Sequence, residues 1–390
     1  MKVLLGGVPF GCDNVGDEAI LACVTRLFRE RLPAVELTVA TGDPHTAERL
    51  GVGVTTCWGF DARPLDGFDA VVRDFDAYVW CGATGLSDYP HVALGLLERA
   101  RRVGVATFVW AVGMDDTLNP VFFRVGGLRR KLLSLVGCIG LYESFLMRRI
   151  HRRMRRTLAS CRGVWLRDPQ SAARLARSGF ESARVTADTA VFQQPAAAPR
   201  IPSVAGMRTL GLCLSSQRPV RDEQGLKEFL SSVLAHRATR IVAIPMNPKT
   251  DRALMERLAA ELGHPANFLM FDGDAPEDVT AQAGACDLVL SSRLHLLILA
   301  ANAGTPIMGV ARGSKLANWL ANFGLEPVGS VADCDWRRLA RSVIATLDDA
   351  TSRAEFGRVR DRAYADLHAR FETAADEMFV ILKGISDDRN

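Results

Sequence analysis

The segment Ser291-Ser292-Arg293-Leu294-His295 combines residue types that could bind an anion and move a proton. It follows an apolar run that predicts a buried strand, and it precedes an apolar stretch that predicts a helix, capped by a Ser and ending near Gly304. Arg293 and His295 would lie in or near the first helical turn, where positive charge opposes the helix dipole. A bound anion would explain this choice, because amides, guanidinium and imidazole could converge on it. The alternative is that His295 only hydrogen-bonds a backbone carbonyl.

Further cations follow the next strand along the chain. Arg312 and Lys315 come after an apolar run at 306–310. If the two strands are parallel, these side chains share a rim of the sheet with Arg293 and His295, and Asn247 faces the same side after the run at 240–245. The pattern indicates a pocket for a small, highly charged anion.

A glycine-rich turn near the amino terminus offers carboxylates instead. The sequence Gly6-Gly7-Val8-Pro9-Phe10-Gly11-Cys12-Asp13-Asn14-Val15-Gly16-Asp17-Glu18 follows a predicted strand, but its spacing matches no dinucleotide or Walker motif. One interpretation is helix capping, with Asn14 or Asp13 as the N-cap and two acids as dipole partners. The other is that Asp17 binds sugar hydroxyls or accepts a proton. Both interpretations remain open from the sequence.

Two other strand ends carry candidate residues. Arg167 ends the run at 163–166, and Asp168 and Pro169 then suit the N-cap and N1 positions of a helix. We interpret Arg167 as an anion clamp in preference to a surface salt bridge. Gly82, in the small-residue segment 81–88, either lets backbone amides approach a ligand or forms a plain tight turn.

Alternating apolar runs and helical stretches position these residues. The predicted strands are Val3–Gly6, Glu36–Ala40, Ala70–Cys81, Ala106–Val112, Gly163–Leu166, Thr209–Leu214, Arg240–Pro245, Phe268–Phe271, Asp287–Ser291 and Pro306–Val310. This alternation is typical of α/β folds, here two doubly wound, Rossmann-like domains facing a cleft. A proline-rich stretch predicts a linker at 195–207 between an amino-terminal domain, 1–194, and a carboxy-terminal domain, 208–390.

Composition excludes several classes of protein. The chain has 390 residues, 48% of them apolar, and a net charge of +4, which is too weak to indicate nucleic-acid binding. Nine cysteines without metal-ligand spacing predict reduced thiols in the cytoplasm and no metal site. No apolar run is long enough to predict a membrane-spanning helix.

One segment, 123–162, is strongly basic. It contains eleven Lys and Arg residues with Glu143 as its only acid, mixed with apolar residues at helical spacing. This pattern fits a solvated helix face. It equally suits a surface that contacts an anionic membrane peripherally or holds an anionic substrate.

Together these motifs resemble the polysaccharide pyruvyl transferase family. The family's N-x-G-D-E-A motif corresponds to Asn14–Ala19, its R-D-x-x-S motif to Arg167–Ser171, and its S-x-R-L-H motif to Ser291–His295. A following A-x-x-x-G-x-P pattern and a basic loop correspond to Ala300–Pro306 and Lys315. Order and spacing agree across roughly residues 1–345.

The resemblance implies a GT-B-like fold and a cell-envelope function. A pyruvyl unit would pass from phosphoenolpyruvate to two hydroxyls of a sugar, free or linked to a lipid or nucleotide, with release of phosphate and without a cofactor. It implies His295 as general acid, Asp17 as a residue that orients or deprotonates the acceptor, and a set of substrate-binding residues. These are Asn14, Gly82, Arg167, Asn247, Ser292, Arg293, Arg312 and Lys315. Two alternatives stay open, a GT-B glycosyltransferase with a nucleotide-sugar donor and a non-catalytic glycan-binding member.

Overall fold

The computed structural model describes residues 1–59, 65–119, 121, 133–135 and 137–387, and it divides into two compact units. Unit 1 comprises Met1–Cys12, Val24–Asp188 and Arg370–Asn390, and unit 2 comprises Asp13–Cys23 and Thr189–Ala369. Of the basic segment 123–162, the residues Arg124, Arg129, Arg130 and Lys131 lie outside the described ranges.

Unit 1 is built on a seven-stranded parallel sheet with strand order β3-β2-β1-β4-β5-β6-β7. Its strands are β1 (Lys2–Phe10), β2 (Glu36–Thr41), β3 (Gly53–Thr56), β4 (Ala77–Cys81), β5 (Ala106–Val112), β6 (Gly163–Leu166) and β7 (Arg184–Val185). The helices along this part of the chain are α1 (Val15–Arg31), α2 (Pro44–Leu50), α3 (Phe68–Val72), α4 (Gly85–Asp88), α5 (Pro90–Arg102), α6 (Ile139–Ala159) and α7 (Pro169–Arg177).

Unit 2 repeats the arrangement with a six-stranded parallel sheet, ordered β10-β9-β8-β11-β12-β13. Its strands are β8 (Arg208–Cys213), β9 (Thr239–Ala243), β10 (Phe268–Met270), β11 (Leu288–Ser291), β12 (Ile307–Ala311) and β13 (Gly329–Ser330). The helices that follow are α8 (Glu223–Ala235), α9 (Ala253–Glu261), α10 (Pro276–Gly284), α11 (Leu294–Asn302), α12 (Ser314–Leu320), α13 (Trp336–Asp348) and α14 (Ser352–Asp387).

Both sheets have the strand order of doubly wound folds, which confirms the predicted α/β class. In such sheets ligands bind beyond the carboxyl ends of the strands, at the point where the strand order reverses. In unit 2 that point lies between β8 and β11, where Ser291 pairs with Cys213. Arg293 and His295 therefore follow the strand that borders the switch point.

Core packing explains why these runs form inner strands. In unit 1, Trp110 of β5 and Trp165 of β6 are fully buried, with ring centroids 5.8 Å apart. All five residues of β4 and of β9 are buried, as expected for parallel strands covered on both faces.

The structure corrects one predicted strand. The run Ala70–Cys81 is not continuous, because Phe68–Val72 forms helix α3 after Gly67, which adopts a left-handed conformation with φ of 85°. Only Ala77–Cys81 is strand. Phe68 and Val72 are buried on one side of a short helix, so apolar character alone did not distinguish the two structures.

The structure also differs from the predicted linker at 195–207. The division between the units falls at Asp188 and Thr189, and the proline-rich stretch belongs to unit 2. There the amide of Ala196 donates to the carbonyl of Glu277, and Gln282 exchanges two hydrogen bonds with the backbone of Ile201. The prolines thus mark an extended segment packed on α10.

None of the helices within the described ranges is both long enough and apolar enough to cross a bilayer.

Candidate functional site

The candidate site lies in unit 2, beyond the carboxyl ends of β9, β11 and β12. Arg293 is the N-cap of α11 with extended backbone, and His295 lies in the first turn, as the sequence predicted. The expected Ser cap is wrong. Ser291 Oγ accepts a hydrogen bond from the Arg293 amide at 2.8 Å, and Ser292 Oγ accepts one from the Ser215 amide at 3.1 Å. Both hydroxyls therefore secure the turn before the helix.

Arg293 is held by a buried carboxylate that the sequence analysis missed. Asp251 has no solvent exposure, and its two oxygens accept from Arg293 Nε at 2.9 Å and Nη2 at 2.8 Å. Thr250 Oγ1 accepts a further bond from Nη2 at 2.6 Å. Only Nη1 points elsewhere, toward Gln217 Oε1 at 3.2 Å. The guanidinium is thus fixed in one orientation, with Nη1 as the nitrogen that is bonded to neither Asp251 nor Thr250.

A π-helical turn positions Asp251. Asn247 caps this turn, Pro248–Arg252, because its Oδ1 accepts from the amides of Lys249 and Thr250. Asp251 also accepts from the Met246 amide at 3.2 Å and from Cys213 Sγ at 3.6 Å. Burial raises the pKa of the Cys213 thiol, and the adjacent carboxylate raises it further. The thiol therefore stays protonated and can donate to Asp251.

The loop after β9 also forms hydrogen bonds with the amino-terminal motif around Asn14, which belongs to unit 2. The Met246 carbonyl accepts from the Val15 amide at 3.0 Å, and Asn247 Nδ2 donates to the Asp13 carbonyl at 3.2 Å. Asn14 precedes α1, and its Nδ2 donates to Asp17 Oδ2 at 2.6 Å. The loop after β9 thus contacts the start of α1 through Met246 and Asn247, and it contacts Arg293 through Asp251.

Asp17 and His295 are brought together by Gly16. A Cβ built on Gly16 would lie 2.0 Å from His295 Nδ1, so only glycine leaves room for the imidazole at this position. Asp17, the next residue, is 5% exposed. Burial raises the pKa of its carboxyl group, and the charge of His295, the hydrogen bond from Asn14 and the charges of Lys315 and Arg293 offset part of that rise. The Asp17 carboxyl group therefore lies near cationic groups and is largely excluded from water.

Arg312 adds a positive charge that its buried surroundings disfavour. It follows β12, and its Nη2 shares the Gln217 Oε1 acceptor with Arg293, at 3.0 Å. Its Nε is buried and has no hydrogen-bond partner among the described residues. Burial, together with the charges of Arg293 and Arg218, lowers the pKa of Arg312 to about 10. A bound anion would relieve this repulsion.

The two remaining predicted residues belong to unit 1. Arg167 is buried, with Nη1 3.3 Å from Asp188 Oδ2 and Nε 3.5 Å from Asp168 Oδ2. Its guanidinium is thus already paired with carboxylates of its own unit, and Asp168 caps α7 as predicted. Gly82 has φ of 94° between β4 and α4, so glycine is needed there for the turn. Their substrate-binding roles remain predictions.

Within the described part of the chain, no group of three or more His, Cys, Asp and Glu side chains is arranged to hold a metal ion. The groups that converge are cations, amides and two buried carboxylates, those of Asp17 and Asp251. Such a set can bind an anion and exchange protons with it.

Comparison with models of protein families shows which family this chain is related to. The model of the polysaccharide pyruvyl transferase family matches residues 14–314, well over half of the chain. The chain belongs to the polysaccharide pyruvyl transferase family. The match spans the Asn14 motif, the Arg167 motif and the Arg293 motif, and the family is one of transferases. No curated protein matches the chain significantly in sequence.

Solved structures show where the fold recurs. The Anabaena protein HepE in complex with UDP and glucose is 16% identical, with a TM-score of 0.60 over 98% of this chain and 100% of that one. The glycotransferase of kitacinnamycin is 14% identical, with a TM-score of 0.61 over 97% and 98%. A UDP-GlcNAc 2-epimerase from Neisseria meningitidis, bound to UDP-GlcNAc, is 10% identical, with a TM-score of 0.57 over 98% and 100%. At these identities the likeness establishes a GT-B-like fold.

Proposed function

We propose that this transferase moves a pyruvyl unit from phosphoenolpyruvate to two hydroxyls of a sugar, in a cell-surface polysaccharide or its precursor, and releases phosphate. The observation that supports it most is the grouping of Arg293, Lys315 and His295 around the buried Asp17 in unit 2, with Arg312 beside Arg293. Family membership supports the same class of reaction.

The donor's charges suit this group. Phosphoenolpyruvate carries a carboxylate and a phosphate, which need several fixed cations in a partly dehydrated site. Asp251 fixes the guanidinium of Arg293, whose Nη1 can donate to the donor substrate. The charged form of Arg312 is disfavoured in the folded protein, and a bound anion would stabilise it. Lys315 and the backbone amides at the start of α11 complete the binding groups.

The reaction needs one acid and one base. The first sugar hydroxyl adds to the central carbon of the donor while the methylene carbon takes a proton and becomes a methyl group. His295 supplies that proton in this proposal, and Asp17 takes the proton of the attacking hydroxyl. The second hydroxyl then forms the second C–O bond as the bond to the phosphate oxygen breaks. Of the two hydroxyl protons released, one restores His295 and the other leaves with phosphate, so that Asp17 ends deprotonated and both residues return to their starting states.

A phosphate-release assay tests the proposal. The full chain, phosphoenolpyruvate and a panel of sugar acceptors should release phosphate and yield a ketal product detectable by mass. His295→Ala should lower turnover by roughly 10²–10⁴-fold while most donor affinity remains. Unchanged turnover in this variant would remove His295 from the mechanism, and a lack of phosphate release with every acceptor would count against the activity itself.

A nucleotide-sugar glycosyltransferase is the second candidate, because similar folds were solved with UDP or UDP-sugars bound. Thermal unfolding with phosphoenolpyruvate or with UDP-sugars separates the two. Stabilisation by UDP-sugars alone would favour glycosyl transfer. Stabilisation by phosphoenolpyruvate without turnover would favour a non-catalytic glycan-binding member. The cytoplasmic location, expected from the cysteines, stays a prediction.

A further inference from the structure

A cationic groove of about 1010 Å³ lies in unit 1 between α5 and α6, and its lining includes none of the site residues assigned above. It is lined by seven arginines and one acid, together with Phe145 and Thr157. The arginines are Arg101, Arg102, Arg148, Arg149, Arg152, Arg153 and Arg156, and the acid is Glu98.

The single acid in the lining is already hydrogen-bonded to two of its neighbours. Glu98 accepts from Arg153 Nε at 2.9 Å and Nη2 at 2.7 Å, and from Thr157 Oγ1 at 2.7 Å. Arg102 is 3.8 Å from Asp69, outside the groove lining. Among the described residues, Arg148, Arg149, Arg152 and Arg156 form no ion pair. Within the part of the chain that the structure describes, these four arginines therefore have no carboxylate as a counter-ion.

Helical geometry places these arginines on one face of α6. At 100° per residue, positions 141, 145, 148, 149, 152, 155 and 156 fall within an arc of about 120°. The opposite face is buried through Ile150, Met154 and Leu158. Glu143, the one acid of α6, lies outside the exposed arc. The arc runs about 22 Å along the helix, which exceeds the length of a small dissolved anion.

Two large apolar side chains extend the same arc. Leu141 is 75% exposed and Phe145 is 57% exposed, one turn apart and directly before the arginines. A dissolved polyanion would gain nothing from them. A bilayer interface would accept apolar side chains at the boundary of headgroups and acyl chains and would neutralise arginines with lipid phosphates.

We propose that the exposed face of α6 docks unit 1 on an anionic lipid bilayer, with Leu141 and Phe145 in the interface and the arginines on lipid phosphates. This is peripheral binding, reversible and sensitive to salt, because screening weakens each arginine–phosphate attraction. It goes beyond the proposed reaction and does not depend on it.

Vesicle sedimentation of the full chain tests the proposal. The chain should sediment with phosphatidylcholine vesicles that contain phosphatidylglycerol, and much less with phosphatidylcholine alone. A triple variant, Arg148→Gln, Arg149→Gln and Arg152→Gln, should lose about a hundredfold in partitioning, since each surface arginine contributes roughly fivefold. The matched control is Arg337→Gln, Arg338→Gln and Arg341→Gln on exposed positions of α13, which has the same net charge and should retain binding.

A second variant separates a bilayer from a soluble polyanion. Leu141→Ser with Phe145→Ser keeps every charge and should lose at least about tenfold in partitioning, because apolar burial in the interface is removed. Unchanged binding by this variant, equal binding to both vesicle types, equal loss in both triple variants, or binding of duplex DNA without vesicle binding would each overturn the proposal. Thermal unfolding confirms that each variant is folded.

Discussion

The side chains of Arg293 and Asp251 meet side-on inside unit 2, with two nitrogens of the guanidinium facing the two carboxylate oxygens. Asp251 is completely buried and Arg293 is 13% exposed on its side chain. A buried pair of this kind contributes orientation more than net stability, because desolvation offsets much of its attraction. We therefore interpret Asp251 as a positioning residue for the guanidinium in the proposed donor site.

We expect Asp251→Asn to destabilise the protein by about 3–5 kcal/mol, because it leaves a buried guanidinium without its counter-charge. Donor affinity should fall as well, since Arg293 loses its fixed orientation. Denaturant unfolding and calorimetric titration with phosphoenolpyruvate measure the two effects.

A double-mutant cycle is the control for this pair. Arg293→Ala leaves the buried Asp251 carboxylate without its counter-charge. The loss of stability caused by Arg293→Ala should therefore be smaller when Asp251→Asn is present in the same chain. Additive stability costs would mean that the two side chains do not act together.

Gly16→Ala should displace the imidazole of His295, since the new Cβ would lie 2.0 Å from Nδ1. In a helix, alanine otherwise stabilises by about 1 kcal/mol relative to glycine. We therefore expect lower turnover and no gain in stability. The matched control is Gly357→Ala in α14, where a Cβ meets nothing within 4 Å and the melting temperature should rise. Wild-type turnover in Gly16→Ala would show that His295 does not need this position.

The pKa of Asp17 is raised by burial, and this sets the direction of two pH effects. If Asp17 is the base, activity should fall on acidification at a pH above the ordinary aspartate value of 3.8. Asp17→Asn should abolish turnover or remove that acidic limb. The pH–rate profile of both proteins measures this, and an identical limb in the variant would assign it to another group.

The free energy of unfolding should depend on pH in the sense opposite to activity, since acidification should favour the folded state. A carboxyl group whose pKa is raised on folding favours the folded state while it is protonated, below its unfolded pKa. That contribution is lost as pH rises through the folded pKa. The stability of the wild type relative to Asp17→Asn should therefore decline from pH 3.8 upward and then level off. Denaturant midpoints at a series of pH values test the trend.

Arg312→Gln should raise the melting temperature in buffer without anions. Its pKa of about 10 shows that the folded site disfavours the charged guanidinium, through burial and the neighbouring arginines. The variant should also lose much of the stabilisation that phosphoenolpyruvate gives the wild type. Thermal unfolding with and without the donor measures both effects, and Arg338→Gln on α13 serves as the surface control. A lower melting temperature without anions would contradict this account of the charge.

The sequence predicts the inner strands well, while the binding roles of the site residues stay predictions. Strands β5 and β6 have the predicted bounds, because continuous apolar runs signal strands covered on both faces. The short strands β3, β7 and β13 were missed, since they lie toward the sheet edges and carry little apolar pattern. Edge strands owe their pairing to a neighbour that local sequence does not reveal.

Asp251 illustrates what the sequence does not show. It lies 42 residues from Arg293 along the chain, and nothing in the local pattern of Pro248–Arg252 marks an ion pair. The signal that was available is a polar cluster after the apolar run of β9. Arg312 was singled out, but its lowered pKa depends on burial and on the charges of Arg293 and Arg218, which only the folded chain brings together.

Helix α1 begins in unit 2 and ends in unit 1, so the boundary between the compact units passes through it. α14 is divided in the same way. A single cut of the polypeptide at the proline-rich stretch would leave His295 on one fragment and Asp17 on the other. Neither half would hold both residues of the proposed acid–base pair. Separately expressed halves should be inert alone, and mixing them would restore activity only if the two fragments reassembled.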